Sequence, residues 1–276
     1  MKNIFFLISA LFFPVYSVSG VTAGYITIKT ETALTVDRTD LKVKVNVANE
    51  GDESAFNVQI NINENQRTQS SPVKQILPVK ENYDFEATYN LARSRHGRYP
   101  LTIHVDYTDA NQYPFTALTV TQYSFGSDTV SRIFGSADNT KLTGQVTLPL
   151  KLKNMDETSR EVQVSLVVPK ELSVLEKTRK VAMQPRSEID SVFQLSNFSA
   201  LPGSRYQAFF VLEYEDEDRH YSSVAPCFIH VDVSEGFFKT YKWYIIAGSS
   251  VLFVILMIFQ FVPKKRKSSG NQKQLC

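Results

Sequence analysis

Lys42-Val43-Lys44-Val45-Asn46-Val47-Ala48-Asn49-Glu50-Gly51 alternates apolar with polar residues and then runs into a turn. Successive side chains of a strand point to opposite faces, so Val43, Val45 and Val47 should line a buried face while Lys42, Lys44 and Asn46 meet water. Asn49-Glu50-Gly51-Asp52 supplies the residue types that end such a run. The pattern returns further on, where Leu101, Ile103, Val105 and Tyr107 alternate with Thr102, His104 and Asp106. Turns are written at Asp109-Ala110-Asn111 and at Pro202-Gly203-Ser204, and no amphipathic helix of similar clarity falls between Gly24 and Glu235. Short alternating strands with polar turns between them predict an all-β sandwich.

The order of signals occurs twice. Val43, Val45, Val47 and Asn49 match Leu148, Leu150, Leu152 and Asn154; Asn57-Val58-Gln59-Ile60 matches Glu161-Val162-Gln163-Val164. Gly97-Arg98-Tyr99 through Tyr107-Thr108-Asp109 matches Gly203-Ser204-Arg205-Tyr206 through Tyr214-Glu215-Asp216, with offsets of 104 to 107 residues throughout. A period near the length of one sandwich predicts two tandem domains, since solenoid units are shorter. The expected modules are residues 24–125 and 139–234, joined by a Gly- and Ser-containing linker, 126–138, that would leave them some freedom.

Trp243 to Val262 is an uncharged run with Gln260 as its one amide, followed by Lys264, Lys265, Arg266 and Lys267. As a helix it would reach roughly 30 Å, the hydrocarbon thickness of a bilayer. The basic cluster places the tail, 263–276, in the cytoplasm and the modules across the membrane, with 235–242 as a juxtamembrane linker. At the other end, Lys2, the apolar run Ile4 to Val15 and the small residues up to Ala23 read as a cleaved signal peptide, 1–23. The expected fold is therefore all-β: two tandem immunoglobulin-like β-sandwiches followed by one C-terminal transmembrane α-helix. The second module should lie near the bilayer and the first should reach outward.

Charge divides by compartment. The expected exported part, 24–235, holds all 28 acidic residues and 22 of the 30 basic ones, and so carries about −6. An acidic surface argues against nucleic acid as a partner, because phosphate binding needs a concentrated basic face. The expected partners are the lipid bilayer and an extracytoplasmic protein. Cys227 and Cys276 fall on opposite sides of the expected span, so no intramolecular disulfide forms and each module must be held by ordinary core burial. Cys227 alternates with Ile229, Val231 and Val233, the position of a small buried hydrophobe.

Residues with chemical potential are few. His96, His104, His220 and His230 have no metal-ligand spacing, and no G-x-S-x-G turn is present. Asp109 and Asn111 with Asp216 and Asp218 are candidate calcium ligands, because calcium takes several oxygens from one turn, although a solvated hairpin tip explains them equally. Asn197-Phe198-Ser199 is an acceptor sequon for glycosylation. No motif implies a cofactor, and no catalytic set is identified.

The strand ending in Asn49, then Asn57-Val58-Gln59-Ile60, then Gly97-Arg98-Tyr99-Pro100-Leu101 leading into Val105-Asp106-Tyr107, resembles CARDB-type and related immunoglobulin-like modules of prokaryotic envelope proteins. The resemblance implies a sandwich used as a spacer, adhesion or assembly module, with no catalytic residues. Tyr99 and Tyr206 resemble the tyrosine corner of immunoglobulin-like folds, whose hydroxyl bonds to nearby backbone. The expected function is a membrane-anchored, non-enzymatic interaction or scaffold protein of the cell envelope. The alternative is an accessory protein of the eukaryotic endoplasmic-reticulum membrane, since signal, sandwich, span, basic tail and sequon are similar to the translocon-associated protein alpha subunit; two modules and a short tail depart from that family.

Overall fold

A computed structural model describes residues 24–91, 95–232 and 237–261, with helical side chains described for 241–255. The expected signal peptide, Val262 and the basic residues Lys264, Lys265, Arg266 and Lys267 lie outside the described residues.

The first sandwich is built from β1 (Ile28–Asp37), β2 (Asp40–Asn49), β3 (Ala55–Glu64), β4 (Arg67–Ser70), β5 (Lys74–Leu77), β6 (Asn82–Asn90), β7 (His96–Thr108) and β8 (Pro114–Phe125). One sheet runs β1-β2-β6; facing it, β3 pairs with β4, β5 and β7, and β7 with β8. The alternation sets the burial: Val43, Val45 and Val47 are fully buried and share a core with Ile60, Ile62, Leu101, Ile103 and Val105.

The second sandwich comprises β9 (Ile133–Ser136), β10 (Thr140–Leu142), β11 (Gln145–Asn154), β12 (Arg160–Val167), β13 (Leu172–Val174), β14 (Thr178–Met183), β15 (Glu188–Asn197), β16 (Arg205–Asp216) and β17 (Arg219–Val231). Its sheets are β13-β15-β11-β9 and β14-β12-β16-β17, with Leu148, Leu150, Leu152, Val162, Val164, Phe193 and Phe210 buried between them. Each such fully buried aliphatic side chain contributes about 1.5–3 kcal/mol, which is how two cores stand without a disulfide. A helix, α1 (Phe237–Phe261), follows; among the described residues no helix is long and apolar enough to cross a membrane.

The expected linker 126–138 is not all linker. Ile133–Ser136 is β9, paired antiparallel with Lys151–Asn154, and Ile133 is fully buried. Four residues, two of them Gly and Ser, are too few to show a period, so only the partner strand identifies them. The expected freedom between modules is corrected too: β17 pairs with β7, and one ten-stranded sheet continues through both sandwiches.

The repeat extends to single hydrogen bonds. Asn49 is fully buried; its Nδ2 donates to Glu53 O (2.7 Å) and Leu77 O (3.1 Å), and its Oδ1 accepts from Gly51 N (3.1 Å). Asn154 repeats this with Thr158 O (3.0 Å), Gln184 O (2.9 Å) and Asp156 N (2.9 Å). An amide is required because one side chain must both donate and accept. Each Asn ties the turn after its strand to the segment entering the next strand of the same sheet.

The modules differ where their first strands end. β1 stays beside β2 over its whole length, from Ile28↔Asn49 to Asp37↔Asp40. β9 accompanies β11 only to Ser136↔Lys151, after which the chain crosses over and β10 pairs in parallel with β17. Met155 N donates to Arg132 O, on the β9 side, whereas Asn154 N donates to Ser187 O, on the β15 side. Odd residues of β11 therefore direct their N–H toward β9, and Pro149, next in that series after Lys151, has none to offer. Its counterpart in the first module, Lys44, points its N–H toward β1, opposite Ala33, by the same parity that sends Glu50 N to Thr27 O. The β9–β11 pairing thus ends just before the position where β11 has no donor to give.

Asn49→Ala and Asn154→Ala should each lower stability by about 1–3 kcal/mol, since each removes a buried amide that holds two carbonyls and an N–H. Asn46→Ala, which loses only an exposed bond to Asp84, should cost less than about 0.5 kcal/mol. Urea midpoints at unchanged slope would measure both; equal effects for Asn46 and Asn49 would refute the buried-amide account.

Candidate functional site

The two sandwiches meet along the outer face of the β7–β8 pair, and the residues gathered there form the most elaborate polar assembly among the described residues. At its top, β17 and β7 run in parallel with Arg219↔His96 and His220↔Gly97. Gly97 has φ of 151°, and a Cβ there would lie 1.9 Å from His220 O. Only glycine permits that approach.

Around this contact, hydroxyls satisfy backbone groups left over by the short pairing. Thr129 Oγ1 donates to His220 O (3.0 Å) and accepts from Arg98 N (3.1 Å). Ser222 Oγ donates to Arg98 O (2.9 Å) and accepts from Gln122 Nε2 (2.7 Å). The His220 ring lies flat on Tyr99, centroids 4.2 Å apart and planes 1° from parallel, with Nε2 3.3 Å from Glu213 Oε1. His220 is 8% exposed, which suits a packing role. Arg95 Nε donates to Glu217 O (3.1 Å) and its guanidinium pairs with Glu215 (2.7 Å), clamping the β16–β17 turn to the start of β7.

Lower on the seam, Lys170 and Glu171 of the loop after β12 grip the first module. Lys170 Nζ meets Asp106 Oδ2 at 2.5 Å, and Asp106 also accepts from Asn61 Nδ2 (2.7 Å) and Thr116 Oγ1 (3.0 Å). Glu171 Oε1 accepts from Thr116 N (2.5 Å), while Tyr113 OH donates to Ser199 O. Glu171 is 2% exposed, and burial raises its carboxyl pKa despite the hydrogen bonds that favour the anion. His104, on the same face, is pushed below its ordinary value by burial, an effect that Asp106 opposes and Lys170 reinforces.

The residues singled out from sequence fall in several places. Tyr99 OH donates to Arg95 O (2.8 Å), and Tyr206 OH accepts from Leu201 N (3.3 Å), so each ties a strand start to the preceding loop. Cys227 is buried in the second core, and burial pushes its thiol up to about 11. Asp109 Oδ1 accepts from Asn111 N (2.9 Å) and Tyr113 N (2.8 Å), shaping its own turn. Asp216 pairs with Arg160 (2.6 Å), and Asp218 lies on the β16–β17 turn of the other module. The four candidate calcium ligands therefore do not converge, and among the described residues no group of three His, Cys, Asp or Glu is placed to hold a metal. Asn197 ends β15 with its amide engaged on Ala200 O (2.9 Å) and Ala200 N (2.7 Å). Trp243 projects from α1 and is 72% exposed.

Thr129, Glu171 and Ser222 escaped sequence reasoning. A lone hydroxyl or carboxylate on a polar strand face looks the same whether it meets water or another domain. The available signal was Gly97, whose place at the start of a strong strand asks for a close backbone neighbour.

Beside the seam lies a groove of about 750 Å³, bounded by the start of β1, the middle of β8 and the start of β16. Tyr107 and Phe115 stack on its wall (5.5 Å), and Arg205 lies 3.6 Å over the Phe228 ring.

No protein-family model matches the chain, and no curated protein matches it. Among solved structures it is similar to a Salmonella alpha-2-macroglobulin, at 8% identity and TM-score 0.31 over 74% of this chain and 16% of that one. A red sea bream transglutaminase shows 12% identity and TM-score 0.26 over 76% of this chain and 31% of that one. A Porphyromonas gingivalis protein of unknown function shows 10% identity and TM-score 0.29 over 74% of this chain and 99% of that one. The chain thus spans less than a third of the macroglobulin and of the transglutaminase. At such scores the architecture is defined by the strand pairing itself.

Gly97→Ala should part the modules without unfolding either: one cooperative thermal transition becomes two, with both cores intact. A single unchanged transition would mean that the seam does not depend on this contact. Because the folded state holds the Glu171 proton more tightly than the unfolded chain does, this group's stabilisation is complete below the ordinary carboxylate value of 4.5 and is lost as pH rises through the raised one. Glu171→Gln should flatten that decline while its amide oxygen still accepts from Thr116; melting temperatures between mildly acidic and neutral pH would show it, and an unaltered slope would count against it.

Proposed function

We propose that this chain is a membrane-anchored, non-enzymatic protein that holds a partner outside the cytoplasm on a rigid pair of sandwich modules. The observation that carries the reading is the junction. Two sandwiches sharing one sheet leave a groove between them with strand edges on its walls. Grooves of this kind suit an extended segment of another protein better than a reacting small molecule. The CARDB-type resemblance, which rests on the sequence signals alone, points the same way.

Support for the anchor comes from the apolar run Trp243–Val262 and from α1. Val251, Leu252, Phe253, Val254 and Ile255 are each between 43% and 65% exposed, and five consecutive helical residues point in every direction around the axis. That stretch offers no polar side chain to water, which supports an apolar surrounding for this part of α1. Lys264, Lys265, Arg266 and Lys267 then orient the tail to the cytoplasm. If the chain passes through a glycosylating compartment, Asn197 must give up its bonds to Ala200 to be modified.

The full chain should stay with membranes through high salt and alkaline carbonate, and truncation after Asp232 should release it. An impermeant thiol reagent should label Cys276 only after permeabilisation and Cys227 only after unfolding. Lysine-directed crosslinking in intact membranes should give one discrete protein adduct. Carbonate release of the full chain would remove the anchor, and absence of any adduct would remove the interaction role.

A further inference from the structure

The second module covers the outer edge of its last strand, and the first does not. β16 occupies the inner edge of β17 from Arg205↔His230 to Asp216↔Arg219. On its outer edge, β10 pairs with Ile229–Val231 and β7 meets Arg219 and His220. The equivalent strand, β8, is paired along its inner edge with β7, and no other strand of the described residues pairs with it. The difference coincides with Pro149 standing where the first module has Lys44: there β1 stays with β2, and no strand among the described residues crosses over to cover β8.

The exposed groups can be named. Thr116 N bonds outward to Glu171, and Arg98 N, opposite Ser124, bonds to Thr129 rather than to β8. The even-numbered residues of β8 are thus the non-hydrogen-bonded partners of β7, and the N–H and C=O of Leu118, Val120 and Gln122 point away from it. An unpaired row of this kind is a template for another strand unless something blunts it. β8 from Phe115 to Thr119 borders the groove.

Charge selects the occupant. Among the described residues the charged side chains lining the groove are Lys29 and Arg205, both cationic, in an expected exported region that is otherwise acidic. Lys29 is shared by Glu31 and Glu50 (3.1 and 3.4 Å). Arg205 has no carboxylate within ion-pair distance among the described residues and rests on Phe228.

We propose that the outer edge of β8 is a strand-addition site for an extended, acidic segment of a partner protein. The added strand runs parallel to β8, as β10 runs to β17. Its backbone pairs with Leu118, Val120 and Gln122, and an Asp or Glu on its side toward the second module meets Arg205. Residues on its other side are small or apolar, to fit beside Phe115 and Ala117. This assignment rests on the interaction role proposed above and gives it a place and a chemistry.

The test uses the full chain in detergent micelles and two labelled peptides, each alternating Val and Thr around one central residue, Asp in one and Lys in the other. The Asp peptide should bind about tenfold more tightly than the Lys peptide. Val120→Pro removes an outward N–H without touching a bond to β7, and it should weaken binding about tenfold or more at an unchanged melting temperature. Arg205→Glu should reverse the preference between the peptides, and it decides the matter if the proline variant does not fold. Equal binding of both peptides, no binding, or full binding to Val120→Pro would overturn the proposal. If the crosslinked adduct in membranes survives both substitutions, the edge assignment falls while the interaction role stands; if wild type gives no adduct, the role itself falls.

Discussion

The arrangement of the two modules turns on a backbone approach at Gly97 that no side chain could share. With His220 O where a Cβ would stand, β17 comes close enough to pair with β7, and two sandwiches become one sheet. The pairing itself covers only two residues of each strand, too few to hold domains together unaided. Its strength lies in what surrounds it: Thr129 and Ser222 satisfy the backbone groups that the short ladder leaves over, and Tyr99 stacks on His220 to keep water out.

The seam places unlike electrostatic demands on the fold. The upper part is closed by hydroxyls, by the stacked rings of Tyr99 and His220 and by the Arg95–Glu215 ion pair. The lower part buries Glu171 beside Asp106 with Lys170 and a backbone N–H as compensation, and brings His104 into the same face. Burial raises the acid and lowers the base, so both groups favour their neutral forms. The docked state is therefore penalised from opposite directions, by pH falling below the ordinary histidine value of 6.5 through His104 and by rising pH through Glu171.

Much of the architecture was legible in residues alone. Val43, Val45 and Val47 state a period of two and a buried face, and Asn49 and Asn154 mark the same turn twice, because an amide that must donate and accept leaves few substitutes. What stayed hidden was short or nonlocal. Ile133–Ser136 is a strand only because β11 lies beside it, and Pro149 acquires its meaning from the direction its absent N–H would have taken. The seam was the least visible part. Thr129, Glu171 and Ser222 carry no periodic signal, and their roles depend on partners between 31 and 124 residues away in the chain.

The sequence by itself determined two β-sandwich cores of similar plan, an acidic body and an apolar C-terminal run, because periodicity, turn chemistry and net charge are local or additive properties. The tertiary structure alone decided that the modules are fused, that one outer strand edge is covered while its counterpart is open, and that cations line the groove beside the open edge. Those outcomes depend on which backbone donors and acceptors remain after every strand has found its neighbour. That remainder can be counted only once the whole chain is folded.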